Sequence, residues 1–167
     1  TNLGNVKCWG RNVEGELGMG SSQLAVGTSP ADLGSALPYL DFGKNEHAVE
    51  IAAGYYHTCA VLDDGQGNAS GNLKCWGDNS EGQLGLGDVR SRGLSANDMG
   101  DSLPFVSLGT GRLARQIALD TGDTCALLDD GTAKCFGDNF YGQLAQGDWT
   151  SRGGQSDQMG DALKSIQ

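Results

Sequence analysis

The chain has 167 residues, 28 of them glycine, and 11 basic against 21 acidic residues give a formal net charge of −10 at pH 7. This acidic excess opposes binding to nucleic acid and to anionic membrane surfaces, because both carry negative charge. The sequence contains no apolar run of about 18 residues, so we expect no membrane insertion.

Three copies of one segment recur along the chain, at residues 7–20, 74–87 and 134–147. They read KCWGRNVEGELGMG, KCWGDNSEGQLGLG and KCFGDNFYGQLAQG, and we call them the first, second and third consensus segments. The stretches that follow them also correspond, as MGDSLP at 99–104 and MGDALK at 159–164 show. Self-similarity at a period of about 60 residues predicts a repeat protein whose units bury their faces against one another.

Short apolar stretches between glycine-rich turns predict β-strands. EIAA at 50–53, TCAVL at 58–62 and LKCWG at 73–77 each have the length of a strand, and no stretch shows sustained helical periodicity. We therefore predict an all-β fold, a partial β-propeller of about three antiparallel blades. It would form one domain over residues 1–167, with repeats at approximately 1–62, 63–128 and 129–167, of which the first and last are incomplete.

The positions that recur in the consensus segments have structural explanations. We expect large aromatic side chains to fill the space between blades, glycines to adopt positive φ in the turn after each asparagine, and leucines to return to the core. The aromatics are Trp9, Trp76 and Phe136, the glycines are Gly15, Gly82 and Gly142, and the leucines are Leu17, Leu84 and Leu144.

The segment TCALLDDGTAKCFG at 124–137 predicts a hairpin closed by a three-residue turn that ends at Gly131. Counting outward from the turn places Cys125 opposite Cys135 at a non-hydrogen-bonded pair, where the Cα atoms approach to about 4.5 Å. We predict a disulfide there and another between Cys59 and Cys75, whose hairpin has a longer loop. The alternative is two pairs of reduced core thiols.

Catalytic and metal sites are poorly supported by the sequence. His57 is a tempting general base, but Asp123 holds the equivalent place in the next repeat. There is no CxxC motif, and no acidic loop has the spacing of a calcium loop. We therefore predict no catalytic residue, no metal site and no cofactor.

HTCAVLDDG at 57–65 followed by KCWGDNSEGQLGLGD at 74–88 resembles the repeat of the regulator of chromosome condensation (RCC1) family. The resemblance covers essentially the whole chain, because the glycines, the tryptophan and the QLG triplet recur together. It implies a propeller, typically of seven four-stranded blades. Within the family, the chain is similar to disulfide-containing repeats of large secreted or surface proteins.

Two features indicate where the protein resides. Cross-strand disulfides imply an oxidising compartment, so we expect a secreted or cell-surface protein. Asn68-Ala69-Ser70 is a glycosylation sequon in the extended loop of the second hairpin, and Asn68 is the predicted glycosylation site.

Positions at which the repeats differ are the candidates for function. Phe140 and Tyr141 replace the Val13-Glu14 and Ser80-Glu81 pairs, and Trp149 stands where Val89 does. On loops, these three aromatics could anchor a protein partner, or they could pack on the next blade. We also expect ion pairs that brace the loops, namely Arg92 with Asp101 and Arg152 with Asp161.

The sequence favours a non-catalytic protein-interaction or structural module that binds a protein partner, which includes further repeats of a longer chain or other copies. One alternative is a regulator of another protein, by nucleotide exchange on a GTPase or by enzyme inhibition. Another is a carbohydrate-binding or enzymatic propeller. We expect the chain to be a piece of a longer protein; the alternative is a small propeller assembled from several copies.

Overall fold

The computed structural model describes residues 4–64 and 70–166, so the sequon at Asn68 lies outside the described residues. Within these ranges the chain forms antiparallel strands and short 3₁₀ turns, which confirms the all-β prediction, and none of its helices has the length and apolarity to cross a membrane. The strands are β1 (Gly10–Arg11), β2 (Ala25–Val26), β3 (His47–Ala53), β4 (His57–Asp63), β5 (Asn72–Gly77), β6 (Ala114–Leu119), β7 (Asp123–Leu128) and β8 (Ala133–Gly137). The 3₁₀ turns are Pro30–Asp32, Ala96–Asp98, Gly100–Ser102 and Gly160–Ala162.

The strands pair in three sheets that follow each other in chain order. The first sheet is β1-β2, the second is β3-β4-β5 and the third is β6-β7-β8. The second and third sheets have the same connectivity, and each carries a bulge in its first strand, after Ala48 in β3 and after Ala114 in β6. Each is therefore one copy of the same three-stranded blade.

The hairpin between β7 and β8 has the predicted register. Ala126 lies opposite Lys134 and Leu127 opposite Ala133, and the amide of Leu128 donates to the carbonyl of Thr132 at 2.8 Å. Gly131 closes the turn at φ +82°, a conformation that costs glycine little. The turn residues thus fix which side chains face each other across the two strands.

The core lies between successive sheets, where one aromatic side chain of each sheet is covered by a turn of the preceding consensus segment. Trp76 and Phe136 are fully buried in this position. Trp9 is 64% exposed, so the prediction that it fills a space between blades was wrong. A β-carbon at Gly27 would approach Trp9 to 3.2 Å, but within residues 4–64 and 70–166 no consensus-segment glycine packs on the Trp9 ring as Gly18 packs on Trp76.

Candidate protein-interaction surface

A buried asparagine holds the loop that carries the candidate aromatic residues. The Asn139 side chain is fully buried; its Nδ2 donates to the carbonyls of Asp148 at 2.8 Å and Thr150 at 3.2 Å, and its Oδ1 accepts from the amide of Leu144 at 2.9 Å. Asn12 and Asn79 make equivalent bonds in the other consensus segments. Because both ends of the loop are tied to one side chain, residues 140–149 form a fixed surface.

The structure brings Phe140, Tyr141 and Trp149 to this surface with 71%, 84% and 81% of their areas exposed. The Phe140 and Tyr141 rings meet edge to face with centroids 4.9 Å apart. Trp149 borders two hollows, one lined by Gly142 and Gly147 and the other by Phe140 and by Glu81 of the second repeat. We call Phe140, Tyr141 and Trp149 the aromatic edge. So large an exposed apolar group is uncommon in a protein that has no partner.

The ion pairs beside the aromatic edge differ from those expected. Arg152 pairs with Asp148 at 2.7 Å, and the equivalent Arg92 pairs with Asp88 at 2.7 Å, so the predicted pairs with Asp161 and Asp101 were wrong. The hydrogen bond from Arg152, followed by that from the Thr150 amide, lowers the pKa of Asp148. The partner stands four residues before each arginine, on the same loop, and the pair therefore braces the loop locally.

Asp101 and Asp161 instead join one repeat to the next. Asp101 Oδ1 accepts from the amide of Lys44 at 2.8 Å, and Asp161 Oδ1 accepts from the amide of Thr110 at 2.8 Å. These carboxylates satisfy backbone donors at the start of the preceding loop. The two aspartates are thus structural.

Both cross-strand disulfides are present in the structure. Cys59 and Cys75 are joined with their Cα atoms 4.1 Å apart, and so are Cys125 and Cys135. Cys8 is a free, half-buried thiol, and burial raises its pKa to about 11. Because the thiolate is the reactive form, Cys8 is a weak nucleophile at neutral pH.

His57 makes a buried contact between the second and third sheets that the sequence did not reveal. Its Nε2 lies 2.8 Å from the Thr124 hydroxyl, and that hydroxyl donates to the carbonyl of Gln83 at 2.9 Å. Nε2 therefore carries the proton, and Nδ1 is buried with no hydrogen-bond partner among the described residues. Burial lowers the pKa of His57 to about 4. The residue is a neutral structural group at neutral pH.

We expect this histidine to make stability depend on pH. Because its pKa falls from 6.5 in the unfolded chain to about 4 in the fold, the unfolded state binds the proton first as the pH is lowered. The free energy of unfolding should therefore decrease by about 2 kcal/mol between pH 7 and pH 5, and the loss should level off below pH 4.

Urea denaturation at a series of pH values checks this expectation, with His57→Gln as the matched control. The glutamine can still donate to Thr124 but does not titrate, so carboxylate effects cancel in the difference between the two proteins. A difference that stays constant from pH 7 to pH 4 would contradict the assignment.

Metal binding has no counterpart in the geometry of the described ranges. There, no three His, Cys, Asp or Glu side chains are grouped as ligands.

Comparison with known proteins finds relatives that match about half of the chain or more. The Ultraviolet-B receptor UVR8 of Arabidopsis thaliana is 30% identical over 146 residues, which are 87% of this chain and 28% of the receptor. The human X-linked retinitis pigmentosa GTPase regulator is 34% identical over 90 residues, which are 53% of this chain and 7% of the regulator. The chain thus spans less than a third of the length of either relative.

Solved structures show the same fold. Human WBSCR16 superposes with a TM-score of 0.59 at 18% identity, over 94% of this chain and 33% of that protein. Yeast RCC1 (Prp20), in its complex with Kap60, superposes with a TM-score of 0.54 at 22% identity, over 80% of this chain and 26% of that chain. The prediction of a partial β-propeller is confirmed.

The family assignment rests on the sequence as well as the fold. Two sequence patterns described as the Regulator of chromosome condensation (RCC1) repeat match this chain, one at residues 4–61 and the other at residues 48–83 and 124–143. Together they span more than half of the chain. The chain belongs to the RCC1 repeat family.

Proposed function

We propose that this chain is a non-catalytic protein-interaction module of a secreted or cell-surface β-propeller protein. The aromatic edge carries the proposal, because its three large side chains are exposed on a loop that Asn139 holds in place. Aromatic side chains that are rigidly presented supply much of the binding energy of protein interfaces. The two disulfides support an oxidising location, and the sequon at Asn68 is proposed to be glycosylated there.

Relatives lend support for protein binding in general. Yeast RCC1 (Prp20) was solved bound to Kap60, and a second structure of Prp20p is described with its binding to Gsp1p and histones. These are partners of that protein. The formal charge of −10 on the present chain makes a nucleic-acid partner an unfavourable choice.

Truncation of the aromatic edge tests the proposal. We expect Tyr141→Ala or Trp149→Ala to weaken binding of a protein partner by about 2 kcal/mol, or roughly thirtyfold, because an interface hot spot loses its buried contact area. The side chains are exposed in the free chain, so its thermal stability should change little. The measurement is capture by the immobilised chain from an extract of the source cells, followed by titration of the captured protein.

Tyr55→Ala is the matched control for Tyr141→Ala. Tyr55 is 65% exposed and meets Tyr56 edge to face, as Tyr141 meets Phe140, but it lies at the turn between β3 and β4. The control should retain the captured protein. If Tyr141→Ala and Trp149→Ala both retain it as well, or if they lose stability instead, the edge is part of the scaffold and the proposal is wrong.

A second candidate is regulation of another protein's activity. The likeness to the human GTPase regulator supports it, since that protein is 34% identical over the 90 matched residues. Such a role would use the same kind of surface, and it requires a partner whose activity changes on binding. Measuring nucleotide release or hydrolysis by the captured protein, with and without this chain, separates regulation from simple attachment.

A further inference from the structure

The structure contains two interfaces between successive repeats, and glycines of the consensus segment form both. At the first interface, a β-carbon added at Gly15 would lie 2.5 Å from the carbonyl oxygen of Arg92, and one at Gly18 would lie 2.5 Å from Trp76 Nε1. At the second, a β-carbon at Gly82 would lie 2.4 Å from the amide of Gly154. These glycines are needed because the backbone of one repeat touches the next.

The middle glycine of each segment lies directly against the aromatic side chain of the following repeat. A β-carbon at Gly85 would lie 2.7 Å from the ring of Phe136, as one at Gly18 would meet Trp76. Neither distance is compatible with a real side chain. A consensus segment can therefore receive a large aromatic only if this position is glycine.

The third consensus segment has an alanine at that position. Ala145 has φ +53°, close to the +65° of Gly18 and Gly85, and its amide donates to Gly142 at 3.0 Å as theirs donate to Gly15 and Gly82 at 2.9 Å. The backbone is equivalent, so the methyl group of Ala145 projects to where the aromatic ring would pack. Alanine keeps this left-handed conformation at a cost that glycine avoids.

The residue that follows this position has also changed in a way that disfavours an aromatic ring. Met19 and Leu86, which follow the middle glycine in the first two segments, pack against the apolar clusters between sheets. Gln146 replaces them, and its Nε2 donates to the carbonyls of Leu144 and Lys164, each at 3.2 Å. The pocket that accepts an aromatic ring in the first two interfaces is therefore smaller and more polar in the third segment.

The rest of the third face keeps the features of a docking surface. Gly142 and Gly147 retain positive φ, at +76° and +80°, although within the described residues no other repeat approaches them. Val89 lies against Gly154 of the next repeat, and Glu81 accepts a hydrogen bond from Ser151 at 3.4 Å. Trp149 and Tyr141 hold the positions of Val89 and Glu81, which places them on the side that would face a further repeat.

We propose that the face formed by Tyr141, Gly142, Ala145, Gly147 and Trp149 binds a further RCC1-type repeat that has a small side chain at the position of Trp76 and Phe136. Ala145 excludes a repeat that carries a large aromatic there. This inference rests on the proposed function, since it names the kind of partner that the aromatic edge takes.

One excluded partner is a second molecule of this chain. Its first repeat exposes Trp9 at the position of Trp76 and Phe136, and the half-buried Gly27, at φ +90°, holds the position of Gly93 and Gly153. Without Ala145, these groups would complement the third face and allow head-to-tail growth of filaments, as heterologous contacts do when they fail to close. Under this proposal, Ala145 opposes head-to-tail association of the 167 residues.

Sedimentation velocity of the 167-residue chain tests the proposal, in a Cys8→Ser background that prevents disulfide cross-linking through the free thiol. Ala145→Gly should raise the self-association constant at least about tenfold, equivalent to about 1.4 kcal/mol. Adding Trp9→Ala to Ala145→Gly should reverse this gain. Trp9→Ala alone should also associate more strongly than the parent, because it offers a small side chain to Ala145. The control is Ala162→Gly, an exposed alanine outside this face.

The opposite results overturn the inference. It is wrong if the self-association constant of Ala145→Gly equals that of the parent. It is also wrong if adding Trp9→Ala to Ala145→Gly does not lower the constant again, or if Trp9→Ala alone does not raise it above that of the parent. Failure of the proposed function has a different signature. If Trp149→Ala and Tyr141→Ala leave the association of the Ala145→Gly variant intact, residue 145 selects the partner but the aromatic edge does not anchor it.

Discussion

Trp76→Ala is expected to lower the free energy of unfolding by about 3–5 kcal/mol, the largest effect of any single substitution considered. The Trp76 ring is fully buried between the first consensus segment and the second sheet, and Phe42 packs beside it with ring centroids 5.8 Å apart. Removal leaves a cavity bordered by the backbone of the turn at Gly18 and by the apolar side chains packed around the ring, Phe42 among them, so lost packing and the cavity both contribute to the loss.

The hydrogen bond of Trp76 is a smaller part of this effect. Its Nε1 donates to the carbonyl of Glu16 at 3.1 Å, but the Thr58 hydroxyl donates to the same carbonyl at 2.8 Å. Glu16 therefore keeps one donor when the indole is lost, so no buried acceptor is left unsatisfied. The expected loss comes mainly from packing.

Trp9→Ala is the control that the repeat itself provides. Trp9 holds the same position in its consensus segment, but with 64% of its area exposed we expect a loss below about 1 kcal/mol. Urea denaturation followed by circular dichroism measures both variants without depending on tryptophan fluorescence, at protein concentrations at which sedimentation shows both to be monomeric. Equal losses at the two positions would mean that Trp9 is covered in solution, and a loss below about 1 kcal/mol for Trp76→Ala would contradict the packing described here.

The contrast between Trp9 and Trp76 shows what the sequence could predict. The repeat period and the turn residues were sufficient to predict the hairpin between β7 and β8. Its three-residue turn at Gly131 determines every facing pair back to Cys125 and Cys135. Burial at a repeated position depends on what the neighbouring repeat presents. Identical consensus residues therefore have different environments, which no pattern within one repeat reveals.

Contacts between repeats were missed for the same reason. His57 and Thr124 are 67 residues apart in sequence, and Lys44 and Asp101 are 57 residues apart. Sequence reasoning instead paired Arg92 with Asp101 from their joint recurrence, whereas the structure pairs that arginine within its own loop. Recurrence shows that two residues belong to one repeat, but it does not show that they touch.

The candidate surface was accessible to sequence reasoning in part. The differences between repeats singled out Phe140, Tyr141 and Trp149, and their role as anchors stays a prediction. The change from LGLG at 84–87 to LAQG at 144–147 is equally visible in the sequence. Its meaning became clear only from the contact of Gly85 with Phe136. A side chain at this position would collide with a large aromatic residue of the following repeat.

Loss of the Cys59–Cys75 disulfide should have the second largest effect. Replacing both cysteines by alanine removes a cross-link between residues 16 apart. The unfolded chain gains entropy, which lowers the free energy of unfolding by about 3 kcal/mol. The lost packing of the two buried sulfur atoms lowers it by about 1 kcal/mol more. Both positions are fully buried, so water cannot reach the alanine side chains and offset the lost packing. Urea denaturation of the double variant, with Cys8→Ser as the control, gives the difference.

The same replacement at Cys125 and Cys135 should cost less, and this comparison tests how the two hairpins are held. The cross-linked residues are 10 apart, so the entropic contribution falls by about 0.4 kcal/mol. In addition, the tight turn at Gly131 already fixes the register of β7 and β8, whereas β4 and β5 are joined through the longer stretch from Asp64 to Gly71. The Cys59–Cys75 cross-link therefore sets the strand pairing in its hairpin, and without it a one-residue slip would turn Val61 and Leu73 out of the core.

Non-reducing peptide mapping should find both disulfides in the native protein. Equal losses in the free energy of unfolding for the two double variants would show that the turn at Gly131 contributes nothing to the register.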